Sequence, residues 1–273
     1  MTCAGDVSTR EPDATPKAGS GGRSPPPFIR IDSISKTFAS RQGGEIPVLD
    51  RIGLDIAENE FVSLIGRSGC GKTTLLNIIA GLDAASSGQV TIDGRPVTGP
   101  GQGQGVVFQQ HALFPWLSAL GNVSFGFRNA GLSGEARRER SLELLRLVGL
   151  EAAAAKYPRE MSGGMQQRVS IARALALDPQ ILLMDEPFGA LDELTRIDLQ
   201  QELLRIWKAR RKTVVFVTHS IDEALMLSDR IVLLAPHPGR IKRIFDVPMP
   251  RPRSRIEPAF NALHEEIRSE LSS

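Results

Sequence analysis

Gly66-Arg67-Ser68-Gly69-Cys70-Gly71-Lys72-Thr73-Thr74 sets three glycines and a lysine among small polar residues. Its flanks fix its setting. Upstream, Phe61-Val62-Ser63-Leu64-Ile65 is a short apolar run of the buried parallel-strand kind; downstream, Leu75, Leu76, Ile78 and Ile79 continue as a helix apolar nearly all round. The stretch reads as strand, loop, helix. Its spacing, Gly66-x4-Gly71-Lys72-Thr73, fits a phosphate-binding loop. Glycines let the backbone take positive φ and curl its N–H groups around phosphate oxygens, and the positive end of the helix adds its field. In such a loop the lysine reaches the β- and γ-phosphates and the hydroxyl of the next residue ligates Mg²⁺. Gly66 to Thr74 therefore implies a nucleoside triphosphate with Mg²⁺. Cys70 reads as a small loop residue rather than a nucleophile, because no base is evident near it.

The rest of the composition bounds the setting. The 273 residues hold one large α/β domain plus tails, and 41% hydrophobic content supports a sizeable core. The formal charge is +2, from 33 basic and 31 acidic residues, which is no nucleic-acid footprint. Cys3 and Cys70 are the two cysteines, so a structural disulfide is not expected and a reducing cytoplasm fits. No apolar run approaches the ~20 residues of a membrane-spanning helix, and the N-terminus lacks a signal peptide's apolar core. Residues 1–27, rich in Gly, Ser, Pro, Thr and charge, read as a disordered tail. Membrane contact is expected only through a partner.

From Phe28 to about Phe108 the pattern is strand-like. Its clearest piece is Gln89 to Val97, two short runs joined by Asp93-Gly94 in a two-residue hairpin turn. From about Gln109 to Glu160 helical signals dominate: Ser133 caps a helix carrying Leu142, Leu144, Leu145 and Val148, and Gly149 ends it. After Met161 helices (165–177, 193–208, 221–227) alternate with strands (181–184, 213–217, 230–234), which implies a parallel sheet covered on both faces. Beyond Pro236 the chain reads as a tail with a Pro/Arg-rich patch, Pro248 to Arg255, and a short amphipathic stretch.

Ile181 to Glu186 is an apolar strand ending in two carboxylates. In a parallel sheet the strand C-termini line the ligand crevice. Asp185 is thus placed to hold Mg²⁺ and Glu186 to polarise the attacking water, as a hydrolase needs. Ser162-Gly163-Gly164, before a second helix, builds another anion site of the same kind. One chain has no obvious use for two such sites.

On Met161-Ser162-Gly163-Gly164-Met165-Gln166-Gln167-Arg168 the chain resembles the ATP-binding-cassette ATPases, whose "LSGGQ"-type signature binds ATP held by a second subunit. Met161 replaces Leu and Met165 replaces Gln; Ser162, Gly163 and Gly164 stand. The resemblance runs from Phe28 to Pro236. It implies a Q-loop role for Gln109, reaching Mg²⁺ and the attacking water; a D-loop crossing the dimer seam at Ala190-Leu191-Asp192; and a switch histidine on the γ-phosphate at His219. The family commonly has Asp after that histidine; here Ser220, with Glu223, forms a capping box that preserves the helix start. Phe38 falls where the family stacks an aromatic on adenine, and it also reads as a buried edge-strand residue. The implied fold is α/β: a P-loop NTPase (RecA-like) core with parallel sheet, an antiparallel β subdomain and an inserted helical subdomain at about 109–165, within a domain spanning 28–236.

His111 to Gly126 and Ala235 to Arg255 look like the matching stretches of importer ATPases for nitrate, sulfonates and taurine. Phe114, Pro115 and Trp116 make a stiff apolar feature suited to a partner's helix; Trp116 fits the subdomain core equally. The resemblance implies an ATPase subunit acting as a homodimer around two ATP·Mg. Its partners would be two integral-membrane permease subunits at the cytoplasmic face of the membrane and, indirectly, a substrate-binding protein. A soluble ATPase acting on nucleic acid or ribosomes is the alternative, disfavoured by one cassette and near-neutral charge.

Overall fold

The computed structural model describes residues 1, 26–40, 43–101, 103–110, 112–189, 191–209 and 211–272. The segment read as a disordered tail falls mostly outside the described residues, as do Cys3, His111 and Ala190.

Two sheets organise the chain. The larger has six strands in the spatial order β10 (Arg240–Asp246), β9 (Arg230–Ala235), β3 (Phe61–Gly66), β8 (Thr213–Val217), β7 (Ile181–Asp185) and β6 (Gln104–Val107). All pair in parallel except β10, which runs antiparallel to β9. The smaller sheet is antiparallel, in the order β2 (Glu45–Ile56), β1 (Ile29–Ala39), β4 (Ser87–Ile92) and β5 (Arg95–Pro96). Asp93 and Gly94 join β4 to β5 with φ of 50° and 71°, the two positive values that a tight hairpin turn of this twist requires.

The apolar strand runs are continuous because both sheet faces are covered. Alternate residues of β7 go to opposite cores. Ile181 and Leu183 pack with Leu64 of β3 and with Leu75 and Leu76 of α1 (Lys72–Ile79) beneath the small sheet. Leu182 and Met184 pack on the other side with Phe61, Phe216, Trp207 and the helical segment. That segment comprises α2 (Ala119–Gly126) and α3 (Gly134–Leu147), which lie against α4 (Gly163–Ala176). Ser133 caps α3 by accepting the Ala136 N–H at 3.2 Å, and Gly149 follows the helix with φ 70°. Helix α5 (Glu193–Ala209) precedes β8, and α6 (Ile221–Leu227) lies between β8 and β9. Among the described residues no helix is long and apolar enough to cross a membrane.

The chain beyond Pro236 corrects the sequence reading. Instead of a tail it supplies β10, at one edge of the large sheet, and α7 (Pro258–Ser272). Phe245, Val247, Met249, Phe260 and Ile267 form a third core with Ile65, Leu225 and Ile231. The Pro/Arg-rich patch is a strap that ties this core to α6. Arg253, only 6% exposed, donates to the carbonyls of Met249, Leu225, Ser228 and Val247. Arg251 pairs with Asp229 and donates to the Leu227 carbonyl.

Candidate nucleotide site

The parallel register brings the C-terminal ends of β3, β7 and β8 to one edge, where Leu64 and Asp185 both lie beside Val217. Three predicted segments leave the sheet there. After β3 the loop 66–71 curls into α1, with Gly71 at the N-cap and φ 90°. A Cβ on Gly71 would stand 2.5 Å from Leu49 Cδ2, so both conformation and space demand glycine. Arg67, Ser68 and Gly69 form the exposed rim of the loop, and Thr74 is half-buried behind it. Cys70 is buried, and burial pushes its thiol up, which keeps it neutral and suits the small-loop-residue reading.

Lys72 is the test of what the loop is shaped for. Its buried Nζ donates to the carbonyls of Gly66 at 2.8 Å and Arg67 at 3.2 Å, and it lies 3.8 Å from Cys70 Sγ. No carboxylate among the described residues stands within ion-pair distance of it. A buried ammonium held by loop carbonyls beneath a glycine-rich rim fits an anionic phosphate group. Thr73 Oγ1 donates to Asp185 Oδ1 at 3.1 Å, joining helix start to strand end. Burial pushes the Asp185 carboxyl up; the Thr73 hydrogen bond opposes it, the Glu186 charge adds to it, and Lys72 pulls it back. This hydroxyl and carboxylate are a hard-oxygen pair of the sort Mg²⁺ takes together with substrate phosphates.

Glu186 follows β7 with φ 42°, a left-handed conformation that is costly for a residue carrying a Cβ and that breaks the strand there. Its N–H donates to Val217 O at 2.9 Å, which anchors the turn. Gln109 Nε2 donates to Glu186 Oε2 at 3.3 Å, and His219 Nδ1 lies 3.4 Å from the same oxygen. Three residues chosen from three separate segments thus meet at one carboxylate oxygen.

The remaining predicted residues stand apart from this cluster. Ser162 caps α4 by accepting the Met165 N–H at 3.3 Å, and Ser162 and Gly163 are exposed. Helix α4 packs on α2, α3, α5 and β6, whereas α1 packs on β3, β7 and β8. A Cβ on Gly164 would come within 2.7 Å of Thr195 Cγ2, so the signature start abuts the start of α5. Asp192 caps α5 through the Thr195 N–H at 3.0 Å, a contact that holds its carboxyl low. Phe38 is 42% exposed, opposite Ile46 of β2, with Lys36 Nζ 4.7 Å from its ring centroid, so the buried edge-strand reading does not hold.

The capping box at Ser220 is half formed. Ser220 Oγ accepts the Glu223 N–H at 3.3 Å as expected, but the Ser220 N–H goes to Thr218 Oγ1 at 3.0 Å. Thr218 in turn donates to Glu223, so a residue absent from the sequence reading has inserted itself. The signal was present: a hydroxyl one residue before the histidine can reach forward to the helix start.

Comparison with known proteins places this geometry. The ABC transporter family model matches residues 49–189. The chain is 50% identical over 254 residues to the taurine import ATP-binding protein TauB of Rhizobium johnstonii, covering 90% of this chain and 97% of that protein. It is 49% identical over 247 residues to the bicarbonate transport ATP-binding protein CmpC of Synechocystis, covering 89% of this chain and 37% of that longer protein. Among solved structures, a dimeric ATP-binding cassette in a post-hydrolysis state bound to ADP and Pi superposes with a TM-score of 0.73 at 39% identity, over 81% of this chain and 99% of the other. The chain belongs to the ABC transporter family, as its ATP-binding, ATP-hydrolysing cassette.

Proposed function

We propose that the chain powers uptake of a small anion of the sulfonate, taurine or nitrate class. Two copies would enclose two ATP·Mg at the cytoplasmic face of the membrane, bound to two permease subunits that a separate binding protein supplies. The observation that carries the catalytic half is the convergence of Gln109 and His219 on Glu186 Oε2. Lys72 and the loop N–H groups would hold the β- and γ-phosphates, with Phe38 beneath adenine. Glu186 would accept the proton of the attacking water while Gln109 and His219 fix that water's position. Thr73, Asp185 and Gln109 are the residues that would hold Mg²⁺, which when bound supplies charge neutralisation at the phosphates. Ser162 and Gly163, exposed on a helix start away from α1, favour an anion presented by a second copy.

The transport half is supported by the surface beside Gln109. A cavity of about 660 Å³ is lined by Phe108, Phe114, Phe125, Leu177 and Arg173, with Trp116 exposed next to Phe114 at a ring distance of 5.5 Å. Such an apolar groove, rimmed by a cation, suits a helix from a permease. The names of the relatives, taurine and bicarbonate, support a small anion as the solute. The deciding experiment is reconstitution with the permease in vesicles: ATP-dependent uptake is expected for the wild type and none for Glu186→Gln. Uptake by Glu186→Gln would overturn the catalytic assignment.

A further inference from the structure

Thr218 and Arg196 belong to none of the motifs above and Glu223 only to the capping box, yet the three link the histidine loop to the 191–192 turn. The Thr218 hydroxyl, one residue before His219, donates to Glu223 Oε2 and accepts the Ser220 N–H. Glu223 is 5% exposed, and its other oxygen, Oε1, faces Arg196 Nε at 3.7 Å. Arg196 Nη2 donates to the Leu191 carbonyl at 2.9 Å, and the Arg196 N–H donates to the Asp192 carbonyl at 3.0 Å. One carboxylate therefore serves the histidine loop with one oxygen and the 191–192 turn with the other.

The ion pair is made without a hydrogen bond. Arg196 Nε is buried and has no hydrogen-bond partner among the described residues; its facing oxygen stands a few tenths of an ångström beyond bonding distance. Burial pushes the Glu223 carboxyl up, while the Thr218 hydrogen bond and then the Arg196 and His219 charges draw it back. A buried donor that is ion-paired without a hydrogen bond gains one when the partners draw together, and interactions strengthened in the reactive arrangement raise kcat.

We propose that Arg196 and Glu223 form a latch that tightens into a hydrogen-bonded pair when the 191–192 turn is drawn against a second copy, and that the tightened latch, acting through Thr218, holds the backbone at His219 so that its imidazole stays against Glu186. This rests on the reading that two copies enclose the nucleotide. Arg196 and Glu223 are positioning residues and touch no reacting atom.

Initial ATPase rates of the full chain at varied ATP test the latch in Arg196→Met, Glu223→Gln and the double variant, with thermal melts and Glu186→Gln as the control. Each single change is expected to lower kcat roughly tenfold or more, the scale on which small displacements of reacting groups act. KM for ATP should stay within about twofold, since binding groups are untouched. The double variant should fall no further than the weaker single, because the two act as one unit. Folded single variants with kcat within about twofold of wild type, or losses that multiply in the double, overturn the latch. Should Glu223→Gln fail to fold, Arg196→Met decides alone, its side chain being 34% exposed. Turnover by Glu186→Gln would overturn the site reading and the latch together; a dead Glu186→Gln beside unimpaired latch variants overturns the latch only.

Discussion

His219 Nδ1 and Gln109 Nε2 approach one oxygen, Glu186 Oε2, at 3.4 and 3.3 Å. The left-handed backbone of Glu186 presents that oxygen beyond the strand end, where an attacking water would sit. Residues acting on the same water do not contribute independently. Glu186→Gln and His219→Ala are each expected to lower kcat roughly a hundredfold or more. The double variant should be no slower than the slower single, as initial-rate measurements would show. Lys72→Ala should instead weaken ATP binding itself, seen by titration with a fluorescent nucleotide.

Asp185 ties stability to pH. Burial raises its carboxyl in the folded chain, so the charged form is disfavoured there. The sign follows from linkage: the group's contribution to stability is full below the ordinary carboxylate value and is lost as pH rises through the raised value. The nucleotide-free Asp185→Asn variant should therefore melt higher than wild type at neutral pH, by a few degrees at most. The gap should shrink toward zero at about pH 4. A variant that melts lower at neutral pH would show that the Thr73 hydrogen bond outweighs burial.

How far the sequence carried the fold depended on the range of the determining contacts. Asp93-Gly94, Ser133, Ser162 and the 66–74 loop act within a few residues of themselves, and each does what its local chemistry dictates. Strand β10 was hidden because only Phe245 among its residues is buried, while Arg240 and Arg243 face solvent in ion pairs. Its partner β9 looked complete without it. Thr218 was missed because its hydroxyl competes for a backbone N–H that a four-residue motif assigns to Glu223. Trp116 was undecidable by pattern, since tryptophan fits a core or a binding surface equally, and only the packing places it 70% exposed.

The strap beyond β10 should be integral to folding. Arg253 is charged at neutral pH, burial and the neighbouring Arg251 having drawn it down only to about 10. Replacing it by methionine strips partners from the Met249, Leu225, Ser228 and Val247 carbonyls. A loss of about 3 kcal/mol is expected from unpaired buried acceptors. In a chain of this size that lowers Tm by roughly 6 °C or more, in one transition. An unchanged melting curve would mean that the C-terminal segment is dispensable.

Dimer formation tests the signature start. In the Glu186→Gln background ATP should drive the chain to a dimer, read by light scattering. Ser162→Arg should block it by filling the place of the γ-phosphate with a bulky side chain. The lost cap on α4 costs about 1 kcal/mol, too little to unfold the helix, and a melt separates that effect from lost association. Dimerisation undiminished by Ser162→Arg would remove the signature from the interface.

The groove beside Gln109 separates hydrolysis from transport. Trp116 is 70% exposed and leans on Phe114, which in turn contacts Phe125 at a ring distance of 4.5 Å and carries Arg173 above its face. None of these rings touches the phosphate loop, so truncation there leaves the chemistry in place. An exposed aromatic also contributes little to the fold of the free chain, whereas an aromatic anchor buried by a partner commonly carries 2 kcal/mol or more, roughly a thirtyfold change in affinity. Trp116→Ala is therefore expected to keep the wild-type Tm and an isolated ATPase rate within about twofold of wild type. The same variant should lose co-purification with the permease and solute-stimulated hydrolysis in vesicles. A folded Trp116→Ala that assembles and transports normally would move the coupling surface elsewhere on the helical segment.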